Sequence, residues 1–184
     1  MHALILLLLA SAANAAPTAY NADHPWSIGV RAAAWQAGYT APGGGGHVRY
    51  RPSQHLGVEA FWNSFAVSRS PRLLHDHVIG FHTYMPLVGG ERWLLAPAVG
   101  ACVDFRFQTD LQHTGPSTSD VRFGTHAGFI AERQLTSWLS AELNGATYAY
   151  WGHPVAVDGW TATPSTQLKL QPATQLTAAV NVRL

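Results

Sequence analysis

The sequence predicts an all-β fold, a transmembrane antiparallel up-and-down β-barrel of eight strands. Three observations predict it. Apolar and polar side chains alternate with a period of two along most of the chain. Charged groups fall on the face opposite the apolar one. The chain also begins with an apolar run closed by a small-residue cleavage signal.

The alternation is plainest in Trp93-Leu94-Leu95-Ala96-Pro97-Ala98-Val99-Gly100-Ala101-Cys102-Val103-Asp104-Phe105-Arg106-Phe107. Its odd positions are nearly all large and apolar, while its even positions become small and then charged, ending in Asp104 and Arg106. A soluble barrel fills its interior with the apolar set, whereas a barrel in a bilayer turns that set outward. A soluble lipocalin-like carrier would need an apolar lumen, the reverse of this pattern.

Composition narrows the classes further. A chain of 184 residues is enough for one domain. Charged residues make up 11%, against about 25% in an average globular protein. The formal net charge of +1 gives no electrostatic case for a nucleic-acid partner. The single cysteine, Cys102, excludes an internal disulfide and a cysteine-based zinc site, and no metal or cofactor is expected. Mean hydropathy is near zero, too low for a helical membrane protein and ordinary for a barrel in which only alternate residues meet lipid.

Residues 1–15 read as a cleaved signal peptide. Ile5 to Ala10 is unbroken apolar chain, and Ala13-Asn14-Ala15 precedes Ala16-Pro17. Only His2 and the amino terminus supply positive charge before this core. Residues 16–25 form a short N-terminal segment, and residues 26–184 the barrel. No later segment approaches the apolar length of a membrane-spanning helix.

The strands follow in order. The first runs from about Trp26 to Gln36, with Trp26, Ile28, Val30, Ala32 and Ala34 opposite Arg31. The glycine-rich stretch Ala41 to Gly46 reads as a loop. The second strand sets His47, Arg49 and Arg51 against Val48 and Tyr50, and Pro52-Ser53-Gln54-His55 is a tight turn. The third sets Leu56, Val58, Ala60 and Trp62 against Gly57, Glu59 and Asn63, with a longer polar loop from Ser68 to Arg72. The fourth, roughly His75 to Met85, places Ile79, Phe81, Thr83 and Met85 opposite His82 and Tyr84.

A short turn at Val88-Gly89-Gly90-Glu91 leads into the Trp93 strand, the fifth, and a long polar loop spans Gln108 to Asp120. The sixth strand sets Val121, Phe123, Ala127, Phe129 and Ala131 against Arg122, His126 and Glu132. The seventh sets Leu139, Ala141, Leu143 and Ala149 against Ser140, Glu142, Asn144 and Tyr148. The last sets Leu176, Ala178, Val180, Val182 and Leu184 against Thr177, Asn181 and Arg183. Trp151 to Thr174 could hold a further strand at Thr166 to Gln171 followed by a turn at Pro172-Ala173. Even strand numbers in bacterial barrels favour a long fourth loop or an extended neighbouring strand.

Short turns therefore gather at one end and long loops at the other, which in such barrels means turns in the periplasm and loops outside. Aromatic residues near strand ends, among them Trp26, Trp62, Tyr84, Trp93, Trp138, Tyr150 and Trp151, suit interfacial girdles. The inward face collects Arg31, Arg49, Arg51, Arg106, Arg122 and Arg183 with Glu59, Asp104, Glu132, Glu142 and His126. An eight-stranded barrel is only wide enough for side chains to fill. Those charges must therefore pair, as a lumen plug or as a narrow gated pore whose pairs exchange partners.

With that signal segment, alternation, charged lumen and closing strand, the chain resembles the small OmpA/OmpX-type outer-membrane barrels. The hairpin His47-Val48-Arg49-Tyr50-Arg51-Pro52-Ser53-Gln54-His55-Leu56-Gly57-Val58-Glu59 is similar to the one joining their second and third strands. The resemblance implies a monomer in the outer membrane, in contact with its lipids and lipopolysaccharide. It also implies insertion by the assembly machinery that reads the last strand; here that strand ends in Leu184 where an aromatic residue is usual. The expected role is structural or surface interaction through the loops.

A lipid A-modifying enzyme is the alternative. His75 and His77 share one strand face and are the candidate catalytic or metal-binding pair, though no partnered nucleophile accompanies them. As rim residues they need no catalytic role.

Overall fold

The computed structural model describes residues 25–69, 72–89, 92–110, 118–152 and 169–184. The signal peptide and residues 16–24 lie outside the described residues, as does most of the expected fourth loop. Among the described residues no helix is long and apolar enough to cross a membrane, and the regular elements are all strands.

These are β1 (Trp26–Gln36), β2 (Thr40–Ser53), β3 (Leu56–Arg69), β4 (Arg72–Tyr84), β5 (Val88–Gly89), β6 (Trp93–Asp110), β7 (Thr118–Gln134), β8 (Leu139–Gly152) and β9 (Lys169–Arg183). The two-residue β5 pairs only with Leu94 and Leu95 of β6. The other eight form one antiparallel sheet in the order β4-β3-β2-β1-β9-β8-β7-β6, and β4 pairs with β6 to close the ring. Closure leaves no free edge along the wall.

Two details of the expected strands are corrected. The glycine-rich stretch is strand, not loop: Gly43 to Gly46 pair with β1 on one side and β3 on the other. A Cβ on Gly43 would run into the Ser64 carbonyl oxygen and the Phe65 ring. The buried Phe65 ring lies against the strand there, and only glycine leaves room for it. The expected turn at Pro172-Ala173 is also absent, because β9 runs through it and Ala149 pairs with Pro172. The ladder between β9 and β1 has already ended at Thr174, so the missing proline N–H deprives no neighbour.

The connections are also less uneven than expected. At the turn end, Ser53 pairs with Leu56 around Gln54-His55. At the other end, the loop end, Ala37-Gly38-Tyr39 joins β1 to β2, and Arg69 of β3 pairs with Arg72 of β4. Longer stretches of sequence separate β6 from β7 (residues 111–117) and β8 from β9 (residues 153–168) at that end.

The alternation holds around the ring, with the apolar set outside. Val30 is 71% exposed and Phe123 63%, whereas Arg49 is 1% and Glu59 0% exposed. A soluble barrel shows the opposite distribution. Trp26 and Tyr50, with ring centroids 4.5 Å apart, belong to the aromatic band at the turn end. Tyr84 and Tyr150, expected in such bands, are instead buried inside. Each shares its parity with inward neighbours, His82 for one and Tyr148 for the other, and alternation overrides the aromatic preference for strand ends.

Tyr84 pairs with Gly57 across β3 and β4. Its ring occupies the place where a side chain on Gly57 would stand. Replacing Gly57 by valine should displace the ring and lower stability by about 1–3 kcal/mol. Equilibrium unfolding in detergent micelles checks this against Gly145→Val, whose Cβ meets nothing within 4 Å and which should be close to neutral.

Candidate functional site

The charged interior is the candidate site. Its side chains come from facing positions on neighbouring strands, so the register itself creates pairs. Arg49 stands opposite Glu59, Asp76 opposite Arg106, and Asp104 opposite Arg122. Glu132 stands opposite Glu142, a like-charged pair that needs a cation from elsewhere.

Arg49 supplies it. Its Nε and Nη2 donate to Glu59 Oε2 at 3.0 and 2.5 Å. The same Nη2 reaches Glu142 Oε2 at 2.5 Å, and Nη1 reaches Glu132 Oε2 at 3.0 Å. In the ring order, β2 and β3 face β7 and β8 across the lumen, so this guanidinium bridges opposite walls. Tyr84 flanks it, with the ring centroid 5.0 Å from Cζ.

Around this bridge Arg31 pairs with the other Glu59 oxygen, and its Nε donates to His47 Nδ1 at 3.1 Å. Asn181 Nδ2 donates to Glu142 Oε2 at 3.2 Å, and Arg183 contacts Glu132 at 3.5 Å. Arg51 is buried toward the turn end of the same face. His126 Nε2 and His82 Nδ1 are 3.3 Å apart, and His126 stacks on Tyr148 with centroids 4.9 Å apart.

A second cluster lies nearer the loop end. Arg106 grips Asp76 with both prongs, Nε to Oδ1 at 2.7 Å and Nη2 to Oδ2 at 3.1 Å. Tyr39 OH donates to Asp76 Oδ2 and accepts from Arg106 Nη2 at 3.0 Å. Arg122 pairs with Asp104, donates to Gln171 Oε1 at 3.0 Å and packs over the Tyr150 ring. Trp35, Phe65, Tyr148 and Tyr150 stack in the same half of the lumen, with Trp35 and Phe65 centroids 5.1 Å apart.

All eleven residues assigned to the lumen from the sequence point inward, but into two groups. Arg31, Arg49, Glu59, Glu132, Glu142 and Arg183 form the first, and Asp104, Arg106 and Arg122 belong to the second. Arg51 and His126 flank the first. Asp76 and Tyr39 are members that the sequence did not single out, while His47 and His82, set on the inward face by alternation, join them as buried neighbours of the charges. Carrying the parity of His82 and Tyr84 back along β4 reaches Asp76, and that signal could have found it.

His75 and His77 share a face, as expected, and it is the outward one. Their rings stack at 6.3 Å, and His77 meets Phe107 edge-on at 5.8 Å. Asp76, between them in sequence, points to the opposite side, so it does not orient either imidazole.

One set of side chains has the spacing of a metal site: ligand atoms of His47, Glu59 and Glu142 lie within 4.8 Å of one another. Its chemistry does not fit a cation. Arg31 donates to His47 Nδ1, which leaves the proton of a neutral imidazole on Nε2, the atom that faces the carboxylates. Arg49 already holds an oxygen of each glutamate, so a divalent ion would stand beside two guanidiniums.

No family model matches the sequence, and no curated protein matches it. Solved structures do. The crystal structure of Neisserial surface protein A superposes with a TM-score of 0.56 at 14% identity, covering 87% of this chain and 97% of that one. A major outer membrane protein from Thermus thermophilus gives 0.56 at 12%, covering 88% and 100%. Ail, the attachment invasion locus protein of Yersinia pestis, gives 0.52 at 12%, covering 86% and 96%. These are small eight-stranded barrels of the OmpA/OmpX type, and the likeness is one of fold.

Removing one partner from a buried ion cluster costs about 3–5 kcal/mol, because the remaining charges lose their counterion. Arg49→Ala should therefore destabilise the barrel by that amount. Arg49→Lys should recover only part of the loss, since an ammonium cannot fork between walls. Arg183→Ala, which removes one longer contact, should cost less than either. Urea unfolding in micelles gives the order.

Proposed function

We propose that this chain is an outer-membrane barrel whose ion-paired lumen acts as a plug, leaving the loop end to serve a structural or surface-contact role. The observation that carries the reading is the Arg49 bridge from Glu59 to Glu132 and Glu142, with the side chains of Arg49, Glu59 and Glu142 no more than 1% exposed. In a lumen this narrow, side chains that tie opposite walls together occupy the route an ion would take. The apolar outer face supports immersion in hydrocarbon, where a closed sheet satisfies its backbone groups internally.

In this reading residues 1–15 export the chain, the assembly machinery inserts it as a monomer, and the turn end faces the periplasm. Outer-membrane lipids and lipopolysaccharide cover the belt. Neisserial surface protein A is named for a surface location and Ail for attachment and invasion; a contact role at the loop end follows that precedent here. The reading includes no nucleic-acid partner and no cofactor. A second reading, lipid A modification, draws on the stacked His75 and His77 facing outward toward the loop end.

Purified protein in planar bilayers should give no current steps beyond the bare membrane, whereas discrete openings of the unmodified chain would overturn the plug. On intact cells, a membrane-impermeant maleimide should label Gly38→Cys and leave His55→Cys unlabelled; the reverse labelling inverts the orientation. Lipid A mass spectra from cells with and without the protein should be identical, and a mass difference that disappears in His75→Ala would establish the enzyme instead.

A further inference from the structure

The outward belt is not uniform. On β7, β8 and β9 the side chains shrink to Ala131, Ala141 and Ala178, and a depression of about 490 Å³ opens against the wall there. Trp93 and Leu95 stand at its β6 edge, and Leu143, in register between Ala131 and Ala178, rises within it. At its turn end is Arg133, in register with Trp93 on one side and Ala141 on the other. Arg133 lies on the outward face, exposed, while its neighbour Glu132 points into the lumen. Among the described residues no carboxylate pairs with it.

The hollow does not stop at Ala131. A second depression of about 600 Å³ follows toward the loop end, lined by Gly145, Ala127 and Phe129. Gly145 sits in register between Phe129 and Leu176, and a Cβ there would meet nothing within 4 Å. From Arg133 to Ala127 the path is roughly 20 Å at the usual strand rise. The surface is therefore an exposed arginine beside an indole at the membrane edge, followed by a diagonal furrow from Ala131 to Gly145, flanked by Leu143 and Phe129, running into the apolar belt.

We propose that this furrow seats one glycerophospholipid of the leaflet at the turn end. Its phosphate would lie on the Arg133 guanidinium, its glycerol region against Trp93, and an acyl chain along Ala131 and Gly145, between Leu143 and Phe129. This rests on the membrane reading above. A guanidinium fork matches phosphate oxygens, and an indole is suited to the headgroup level. The flexible chain supplies the dispersion contacts that small residues leave unmade. A second copy of the protein fits less well, because a two-fold contact through this face brings Arg133 toward its own image.

The test uses the whole barrel refolded in detergent, with native mass spectrometry counting retained lipid. The probes are palmitoyl-oleoyl phosphatidylglycerol and the matching diacylglycerol, which lacks the phosphate. The unmodified protein should retain one phosphatidylglycerol and little diacylglycerol. Arg133→Gln should lower retention about fivefold, the usual effect of one basic residue at a membrane surface. Gly145→Phe should lower it with Arg133 intact, and Arg92→Gln, which alters another exposed arginine at the turn end, should leave it unchanged. Equal retention by Arg133→Gln, or an equal loss in Arg92→Gln, overturns the site. Insertion into lipid vesicles, read as a heat-sensitive shift on a denaturing gel, is scored separately for every variant. A protein that never inserts defeats the membrane reading, while one that inserts and retains no lipid defeats only this proposal.

Discussion

The interior of this barrel is organised by one problem: Glu132 and Glu142 face each other on adjacent strands with almost no access to water. Two carboxylates so placed repel unless a cation lies between them, and the wall that carries them does not place one directly opposite either. The cation comes from β2 on the far side, already anchored to Glu59. That demand limits how wide the lumen can be, because an arginine side chain has to span it. It also explains the surroundings of Arg49: an aromatic ring at its flank, an asparagine beside Glu142, and a second arginine on the remaining Glu59 oxygen.

The second cluster has a different geometry. Asp76, Arg106, Asp104 and Arg122 come from three adjacent strands, so most of its bonds run along one wall. Tyr39, in the connection between β1 and β2, reaches over to Asp76 and joins that wall to the facing one near the loop end. Between them the two clusters tie the barrel across at two levels, while Trp35, Phe65, Tyr148 and Tyr150 fill space with apolar surface. A membrane barrel thus keeps a core, with its charged groups paired across and along the walls.

Alternation makes most of this legible in the sequence, since period two decides facing without any knowledge of the partner strand. It shows which residues enter the lumen and cannot show which will meet, because Arg49 and its distant carboxylates are joined only by closure of the ring. Sequence and structure part where a local rule outranks alternation. Gly43 to Gly46 read as a loop because glycine clusters usually do, and Pro172 reads as a turn. In the structure Pro42, Pro97 and Pro172 each lie just beyond the end of the ladder to one neighbouring strand, a condition invisible without the register. Tyr84 and Tyr150 suit the interface by residue type and enter the lumen by parity. Asp76 escapes notice because the two histidines beside it carry the more familiar chemistry, on the opposite face.

The hydrogen bonds of Arg49 also set a schedule. Its bond to Glu59 spans 10 residues and can form once a single hairpin exists. Those to Glu132 and Glu142 span 83 and 93, so they wait until the sixth and the seventh of the eight long strands have arrived. Until the ring brings β2 across from β7 and β8, Arg49 is engaged on one side only, and the paired glutamates face each other without their cation. An incomplete chain is penalised for entering hydrocarbon early, which favours late, concerted closure over strand-by-strand insertion.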